Sequence, residues 1–219
     1  MEKKSKKRLV LGASLVVAFA LWTVLARFVD VRAIGPEGSS VGFATLNGFV
    51  HGLTGVNLLL YTVTDWLGIV PIAVALGFAA LGLVQIIKRK SLWRVDRSIL
   101  VLGVFYIVVM AAYVFFEMVV INYRPTLIDG HLEVSYPSST TMLVMCVMPT
   151  AAMQLNVRIK NTVLRRCTII AIAAFTAFMV IGRLISGVHW ITDIIGGALL
   201  GAGLATTYYS VSNTATKNR

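Results

Sequence analysis

The sequence contains few charged residues, because Asp, Glu, Lys and Arg together make up only 13% of its 219 residues. A soluble domain carries about 25%, whereas here 58% of the residues are hydrophobic. Acidic residues are the scarcer kind, with nine Asp and Glu against twenty Lys and Arg. The composition excludes an ordinary soluble domain and indicates an integral membrane protein.

Cysteine is also scarce. The chain has two, Cys146 and Cys167, and both lie within or beside apolar segments. This number and placement exclude a disulfide scaffold and a framework of cysteine metal ligands. We therefore expect neither a metal ion nor another cofactor.

Long apolar runs, in contrast, are plentiful. Six of them approach the roughly 20 residues that a bilayer requires, at about 9–29, 66–87, 99–121, 139–155, 163–185 and 190–209. Open strands cannot cross hydrocarbon, so the sequence predicts an all-α bundle of six transmembrane helices in a single membrane domain, 1–219. The first run is long enough to be a retained anchor rather than a cleaved signal. Gly197 and Gly201 in the last run predict close packing against another helix of the bundle.

The basic residues are concentrated in alternate connections between these runs. Sixteen of the twenty Lys and Arg residues follow this pattern: Lys3, Lys4, Lys6, Lys7, Arg8, Lys88, Arg89, Lys90, Arg94, Arg97, Arg158, Lys160, Arg165, Arg166, Lys217 and Arg219. The positive-inside rule explains such placement without a nucleic-acid partner. We expect both termini to be cytoplasmic.

Three connections then face outwards, at 30–65, 122–138 and 183–189. They contain or adjoin all three histidines and seven of the nine acidic residues, so any chemistry is expected on the outer face. The first connection is rich in glycine and includes a semi-apolar piece, 56–63, that is typical of a short interfacial helix. Two alternatives remain for this connection: it caps the site or guides a lipid tail, or it is a surface loop packed on the bundle.

The third outer connection contains Arg183, His189 and Asp193. Charged and imidazole side chains at membrane depth are costly and indicate function. Asp193 follows His189 by four residues, so a helix through both would bring them onto one face, where the carboxylate can orient the imidazole. The other ring nitrogen would then be free to act as a nucleophile. Arg183 carries donors suited to phosphate oxygens.

Two further clusters lie in the second outer connection. Arg124 follows the third apolar run, and Ser138, Ser139 and Thr140 begin the fourth. Taken alone, Arg124 is typical of an arginine that anchors a helix at the membrane interface, and the serines are typical of helix capping. Together with the third cluster they form a set of arginines and helix-terminal donors that binds phosphate.

The order Arg-Pro, Pro-Ser and Arg-x5-His-x3-Asp resembles the type 2 phosphatidic acid phosphatase superfamily, whose members are six-helix membrane lipid phosphatases acting at the outer face. The resemblance is strongest over about 124–193. It implies that His189 is the nucleophile and Asp193 its orienting partner, that Arg124 and Arg183 bind phosphate, and that Ser138 donates to it. No cofactor is implied.

Two positions depart from the family motifs. Glu117 stands where the first motif has lysine, and Ser139 and Thr140 stand where the second has glycine and the histidine that acts as general acid. Three interpretations remain. The enzyme acts on a substrate with a good leaving group, such as a lipid diphosphate; a substitute acid, Glu117 or His131, replaces the histidine; or the chain binds lipid phosphates without turnover. Ordinary roles for these two residues are an arginine ion pair for Glu117 and a solvated loop position for His131.

The sequence thus predicts a metal-independent lipid phosphatase of the plasma or inner membrane, cleaving at the extracytoplasmic face through a phosphohistidine. A polyprenyl or other lipid diphosphate is the first substrate expected, and a phosphatidate-like monoester the second. The partners expected are the lipid phosphate substrate and the bilayer, without nucleic acid, and the sequence gives no oligomeric state.

Overall fold

The computed structural model describes the backbone of residues 2–217 and the side chains of residues 4–212. Within them the chain forms eight α-helices: α1 (Glu2–Phe28), α2 (Ala44–Thr54), α3 (Leu58–Leu67), α4 (Ile69–Arg89), α5 (Arg97–Met118), α6 (Ser139–Arg158), α7 (Thr162–Ile185) and α8 (Ile191–Lys217). The side chains of Lys3 and Lys217, and the whole of Arg219, lie outside the described residues, so their part of the charge pattern stays a prediction.

Six stretches of the described residues are long and apolar enough to cross a bilayer. They are α1 from Lys4, α3 joined with α4, α5, α6, α7, and α8 as far as Ser212. The predicted all-α architecture with six membrane helices is confirmed. An even number of crossings leaves the start of α1 and the end of α8 on the same side of the bundle.

The second membrane span begins earlier than predicted. Helices α3 and α4 meet at Gly68, which has helical backbone angles (φ −59°, ψ −19°), so Leu58–Arg89 forms one 32-residue span. At 1.5 Å per residue it is about 48 Å long, against a hydrocarbon core of about 30 Å. The predicted run 66–87 is therefore only its membrane-crossing length. Most of the semi-apolar piece 56–63 is helical, as expected, and forms the first turns of α3.

Other helix ends also differ from the apolar runs. Helix α1 begins at Glu2 rather than 9, α5 ends at Met118 rather than 121, α6 continues to Arg158 rather than 155, and α8 continues to Lys217 rather than 209. In α1, α6 and α8, helical hydrogen bonding continues through the polar residues beyond the apolar run. Helix α5 instead ends before the apolar residues Val119, Val120 and Ile121. Asn57 and Asn161 cap α3 and α7 by accepting from the backbone N–H of Leu60 (2.9 Å) and Leu164 (3.0 Å).

Helices α6 and α8 form the centre of the bundle. Half of the apolar window of each is buried, compared with 17–22% for the other four spans. Glycine allows this approach: a Cβ added to Gly201 would lie 2.5 Å from Cβ of Met145, and one added to Gly197 would lie 2.8 Å from the carbonyl oxygen of Ser138. The predicted close packing at these two glycines is confirmed, and its partner is α6. The site described below lies at the shared outer ends of these two helices.

Candidate active site

A hairpin at residues 122–135, between α5 and α6, covers one end of the bundle. Its two arms pair through Arg124 N–H to Glu133 O (2.9 Å) and Ser135 N–H to Asn122 O (3.0 Å). The turn at Asp129 and Gly130 has positive φ at both residues (50° and 78°), as a type I′ turn requires. The hairpin therefore holds the side chains of its two arms over the start of α8.

His189 lies beneath this hairpin in the turn between α7 and α8, and only 3% of it is exposed. Its Nε2 is 3.3 Å from Nη1 of Arg124. A guanidinium only donates hydrogen bonds, so Nε2 accepts and the ring proton is on Nδ1. Burial lowers the pKa of His189 well below its ordinary value, and the charges of Arg124 and Arg183 lower it further. The imidazole is therefore neutral, which is the form of a nucleophile.

Asp193 is fully buried and accepts hydrogen bonds from three different segments. The Trp190 N–H donates to Oδ2 (2.9 Å), Asn122 Nδ2 donates to Oδ1 (3.2 Å), and the Ser135 hydroxyl donates to Oδ2. The distance from Oδ2 to Nδ1 of His189 is 3.7 Å, which is too long for a direct hydrogen bond. The Ser135 hydroxyl bridges this gap and lies 3.2 Å from Nδ1.

This arrangement corrects the expected geometry of His189 and Asp193. Helix α8 begins only at Ile191, so His189 is in the preceding turn and not on the same helical face as Asp193. The two side chains still converge because Asp193 folds back onto the N–H of Trp190, as a residue in the first helical turn can do. The structure brings the predicted pair together, with Ser135 between them.

Arg183 lies in the last turn of α7 and is 1% exposed. Its Nη2 forms an ion pair with Oδ1 of Asp65 (3.3 Å), its Nη1 lies 3.5 Å from Oγ1 of Thr64, and its guanidinium lies 4.9 Å from the ring centre of Tyr61. All three partners belong to α3. The first outer connection is thus both packed on the bundle and part of the site.

A close backbone contact fixes this connection against the turn before α8. Gly187 has φ +67°, and a Cβ there would lie 1.7 Å from the carbonyl oxygen of Gly55. The Asn57 N–H donates to Ser186 O (2.9 Å). Only glycine fits at position 187, on grounds of both conformation and space.

Arg124 extends from the hairpin towards the same aromatic ring. Its Nε lies 2.9 Å from Oε2 of Glu133, an ion pair without hydrogen-bond geometry, and its guanidinium is 5.7 Å from the ring centre of Tyr61. Arg124 and Arg183 therefore converge on one side of His189, and each has a carboxylate partner.

An open cavity of about 560 Å³ lies in front of these arginines; we call it the outer cavity. Its polar wall consists of Arg124, Arg183, Ser139, Thr140, Glu117, Asp65, Glu133, Tyr61 and Tyr113. His189 lines a small adjoining cavity together with Glu117 and Ser139. Two arginines and the first turn of α6 thus line a space suited to a phosphate group, and the neutral imidazole lies in the small cavity beside it.

Comparison with known proteins agrees with this geometry. Residues 115–217, which include both arginines, His189 and Asp193, match the PAP2 superfamily. No curated protein sequence matches the chain.

The PAP2 fold extends beyond the matched segment. A crystal structure described as the first transmembrane PAP2 type phosphatidylglycerolphosphate phosphatase, from Bacillus subtilis, superposes with a TM-score of 0.59. The alignment covers 93% of this chain and 96% of that one, at 19% identity. At this identity the likeness concerns the fold, and it includes α1 to α4, which lie before the matched residues.

Of the predicted phosphate-binding residues and substitute acids, Ser138 and His131 lie away from the outer cavity. Ser138 is buried and caps α6, where its Oγ accepts from the Thr141 N–H (3.4 Å). His131 is exposed near the tip of the hairpin, next to the turn. Neither residue lines the outer cavity, whereas Glu117, Ser139 and Thr140 do.

Sequence reasoning missed Ser135, Asn122, Asp65 and Glu133. The Asp129-Gly130 pair is a strong hairpin signal that could have joined the two arms. The turn does not, however, predict which residues of the two arms lie opposite each other. A regular hairpin with this turn would pair Arg124 with Ser135. In the structure Tyr123 pairs with Val134, so the arms are shifted by two residues and Arg124 lies opposite Glu133.

Among residues 4–212, no group of three or more His, Cys, Asp or Glu side chains could hold a metal ion. The charges around the outer cavity come from its arginines and carboxylates.

Proposed function

We propose that this protein is a membrane lipid phosphatase of the PAP2 superfamily, in which Nε2 of His189 attacks the phosphorus atom. One observation carries the proposal: His189 is a buried neutral imidazole whose Nε2 faces Arg124 and whose Nδ1 is linked to Asp193. The Bacillus subtilis protein of the same fold, a phosphatidylglycerolphosphate phosphatase, supports a lipid phosphate as the substrate class.

Binding of phosphate requires an exchange of partners. In the empty site Arg124 is paired with Glu133 and Arg183 with Asp65. The phosphate oxygens replace these carboxylates, and the first backbone N–H groups of α6 add further donors. When Arg124 turns to the phosphate, it releases the Nε2 lone pair that it now covers at 3.3 Å.

The reaction then has two steps. In the first, the Nε2–phosphorus bond forms as the bond from phosphorus to the lipid-side oxygen breaks in line, and that oxygen leaves with the electron pair. In the second, water attacks phosphorus, the Nε2–phosphorus bond breaks, and inorganic phosphate and the free imidazole are restored. The arginines stabilise the charge on the equatorial oxygens in both transition states.

The preferred substrate is a polyprenyl or other lipid diphosphate. Thr140 stands where the family motif has a general acid and is unsuited to protonate a departing alkoxide near neutral pH. A lipid diphosphate expels a phosphate monoester, whose second pKa of about 6 makes protonation nearly unnecessary. The start of α6 has no general acid at position 140, and the leaving group of a lipid diphosphate does not need one.

A phosphatidate-like monoester is the second candidate, favoured by the position of Glu117. Of the three carboxylates that line the outer cavity, Asp65 and Glu133 are paired with arginines. The ion pair with an arginine that was expected for Glu117 is instead formed by Asp65 and Glu133. Glu117 faces both the outer cavity and the small cavity beside His189. A carboxylic acid there is within the space that a leaving oxygen would occupy.

The lipid part of the substrate has a route into the membrane along the seam between α4 and α5. Ile69 and Ile72 of α4 line the outer cavity and are largely exposed on the lipid-facing surface. Deeper along the same two helices lies an apolar cavity of about 450 Å³, where Gly82 and Gly103 contribute to the lining. A hydrocarbon chain lying in this seam keeps its phosphate at the outer cavity.

The site is proposed to face the extracytoplasmic side of the plasma or inner membrane, with both termini cytoplasmic. Helices α4 and α6 begin at the outer cavity and end at Arg89 and Arg158. The basic connections that follow them are thus at the opposite end of the bundle, as the positive-inside rule expects for the cytoplasmic side.

Phosphate release from purified protein in detergent tests the proposal. Wild type should hydrolyse a polyprenyl diphosphate, and His189→Ala should reduce the rate to background because the nucleophile is lost. Asp193→Asn, which keeps the shape of the side chain, should lower it by orders of magnitude. Equal rates for wild type and His189→Ala would remove His189 as nucleophile. Binding of lipid phosphate by both proteins, with no turnover on any substrate, would instead favour a non-catalytic lipid-phosphate-binding protein.

A further inference from the structure

Ser135 is the buried residue through which the imidazole and the carboxylate of the site are connected. Its hydroxyl donates to Oδ2 of Asp193 and lies 3.2 Å from Nδ1 of His189. Arg124 covers Nε2, so the ring proton is on Nδ1 and is directed at the serine oxygen. The hydrogen bonds therefore run in one direction, from His189 Nδ1–H to the Ser135 oxygen and from the Ser135 hydroxyl to Asp193.

His189 and Asp193 are too far apart to form a direct hydrogen bond. Asp193 Oδ2 and His189 Nδ1 are 3.7 Å apart, beyond the range of a useful N–H···O bond. Removing the serine hydroxyl would take away the side-chain acceptor of Nδ1–H, and once Arg124 has turned from Nε2 to the phosphate, a neutral ring without that acceptor has two tautomers available. One of them places the proton on Nε2, where it prevents attack.

The backbone fixes the position of the Ser135 hydroxyl. Ser135 N–H donates to Asn122 O (3.0 Å) across the hairpin, and the Asn122 side chain donates to the other oxygen of Asp193 (3.2 Å). Both arms of the hairpin thus hold the same carboxylate. Two hydrogen bonds to one carboxylate restrict its position, and catalysis requires that the reacting imidazole beside it be held to within a fraction of an ångström.

We propose that Ser135 is a positioning residue for the phosphate-transfer reaction: it bridges His189 and Asp193, selects the Nδ1–H tautomer and aims Nε2 at phosphorus. This inference rests on the proposed function. It assigns to the 122–135 hairpin the role of orienting the nucleophile, in addition to supplying Arg124.

Kinetics of two Ser135 variants test the inference. Ser135→Ala should lower kcat by about 10²-fold, the order of effect expected from a misplaced reacting group, with little change in KM because the phosphate-binding arginines remain. Ser135→Thr keeps the hydroxyl and should restore most of the rate. Thr126→Ala, in the same hairpin and outside the lining of the outer cavity, is the matched control and should keep the wild-type rate.

The acid limb of kcat/KM provides a readout that a merely structural role would not move. The Ser135 oxygen accepts from Nδ1–H and so favours the protonated ring more than the neutral one. Loss of that acceptor in Ser135→Ala should shift the acid limb to lower pH. A Ser135→Ala enzyme with the wild-type rate and pH profile would overturn the inference.

A measurement without substrate separates this inference from the proposed function. Arg124→Ala is introduced into every protein measured, because the guanidinium otherwise holds Nε2 as an acceptor whatever residue stands at position 135. In such protein labelled with ¹⁵N-histidine, the His189 signal, assigned by its loss in His189→Ala, should report the Nδ1–H tautomer when position 135 is Ser or Thr. Ser135→Ala should show a mixture of tautomers. If wild type hydrolyses no substrate but the tautomer responds in this way, the proposed function fails, and only the control of the His189 tautomer by Ser135 stands. An unchanged tautomer in Ser135→Ala overturns the positioning role, whatever the activity.

Discussion

At the scale of single residues, the sequence points to the groups that would bind phosphate and react in the proposed site, but not to the groups that hold them. The fixed spacing of Arg183, His189 and Asp193 makes them recognisable as a set. Ser135 and Asp65 carry no such pattern, because their relation to the set arises only when distant segments of chain meet. Asp65 is paired with a residue more than a hundred positions away, and no local rule connects the two.

The role of Glu117 is a residue-scale question with a direct test. If Glu117 protonates the leaving oxygen, Glu117→Gln should slow hydrolysis of a lipid monoester by about 10²–10⁴-fold, the usual contribution of acid catalysis. A lipid diphosphate, whose leaving group needs little protonation, should be affected much less. Phosphate release on the two substrates measures the difference.

The matched control for that substitution is Asp129→Asn, which removes a carboxylate at the exposed tip of the hairpin and should alter neither rate. Loss of both activities to the same extent in Glu117→Gln would point to a general defect of the cavity. Unchanged monoester hydrolysis would exclude Glu117 as the acid.

At the scale of helices, hydropathy predicts the six crossings because each must match the thickness of the bilayer. It predicts less well the parts of the chain that leave the membrane. Helix α3 was not expected as a continuation of α4, since its start lies in a glycine-rich and only partly apolar segment. The 122–135 hairpin has no hydropathy signature at all. Helix α3 and the 122–135 hairpin complete the site at the ends of α6, α7 and α8. Its full set of residues could therefore not be predicted from hydropathy.

The packing of α8 on α6 determines how closely the first turn of α6 approaches Asp193. Gly201→Ala would put a methyl group 2.5 Å from Cβ of Met145 and 3.2 Å from the carbonyl oxygen of Met142. Overpacking of this kind costs about 1–3 kcal/mol, so the variant should unfold at a lower temperature in detergent. The separation of the two helices should also reduce phosphatase activity.

A suitable comparison for Gly201→Ala is Gly103→Ala on α5. A Cβ at that glycine has no neighbouring atom within 4 Å, and alanine is the better helix former by about 1 kcal/mol. Its unfolding temperature should equal or exceed that of wild type. Equal stability of both variants would mean that α6 and α8 do not pack as closely as described.

At the scale of the whole molecule, the charges and the cavity lie at opposite ends of the bundle. The carboxylates and arginines of the site surround the outer cavity, while the basic connections after α4 and α6 lie a full membrane span away. With the proposed insertion, a lipid phosphate would reach such a site from the outer leaflet without crossing the bilayer. The direction of insertion therefore decides which leaflet would supply the substrate of the proposed reaction.

Cysteine labelling in intact cells tests this orientation. Asp129 and Lys160 are exposed residues at the two ends of the bundle. With Cys167 replaced by Ser and the buried Cys146 retained, Asp129→Cys should react with a membrane-impermeant maleimide in intact cells. Lys160→Cys should react only after permeabilisation, because positively charged connections are retained on the cytoplasmic side. Labelling of Lys160→Cys alone in intact cells would place the outer cavity on the cytoplasmic face. In that case the enzyme would draw on lipid phosphates of the inner leaflet, while the attack by His189 would be unaffected.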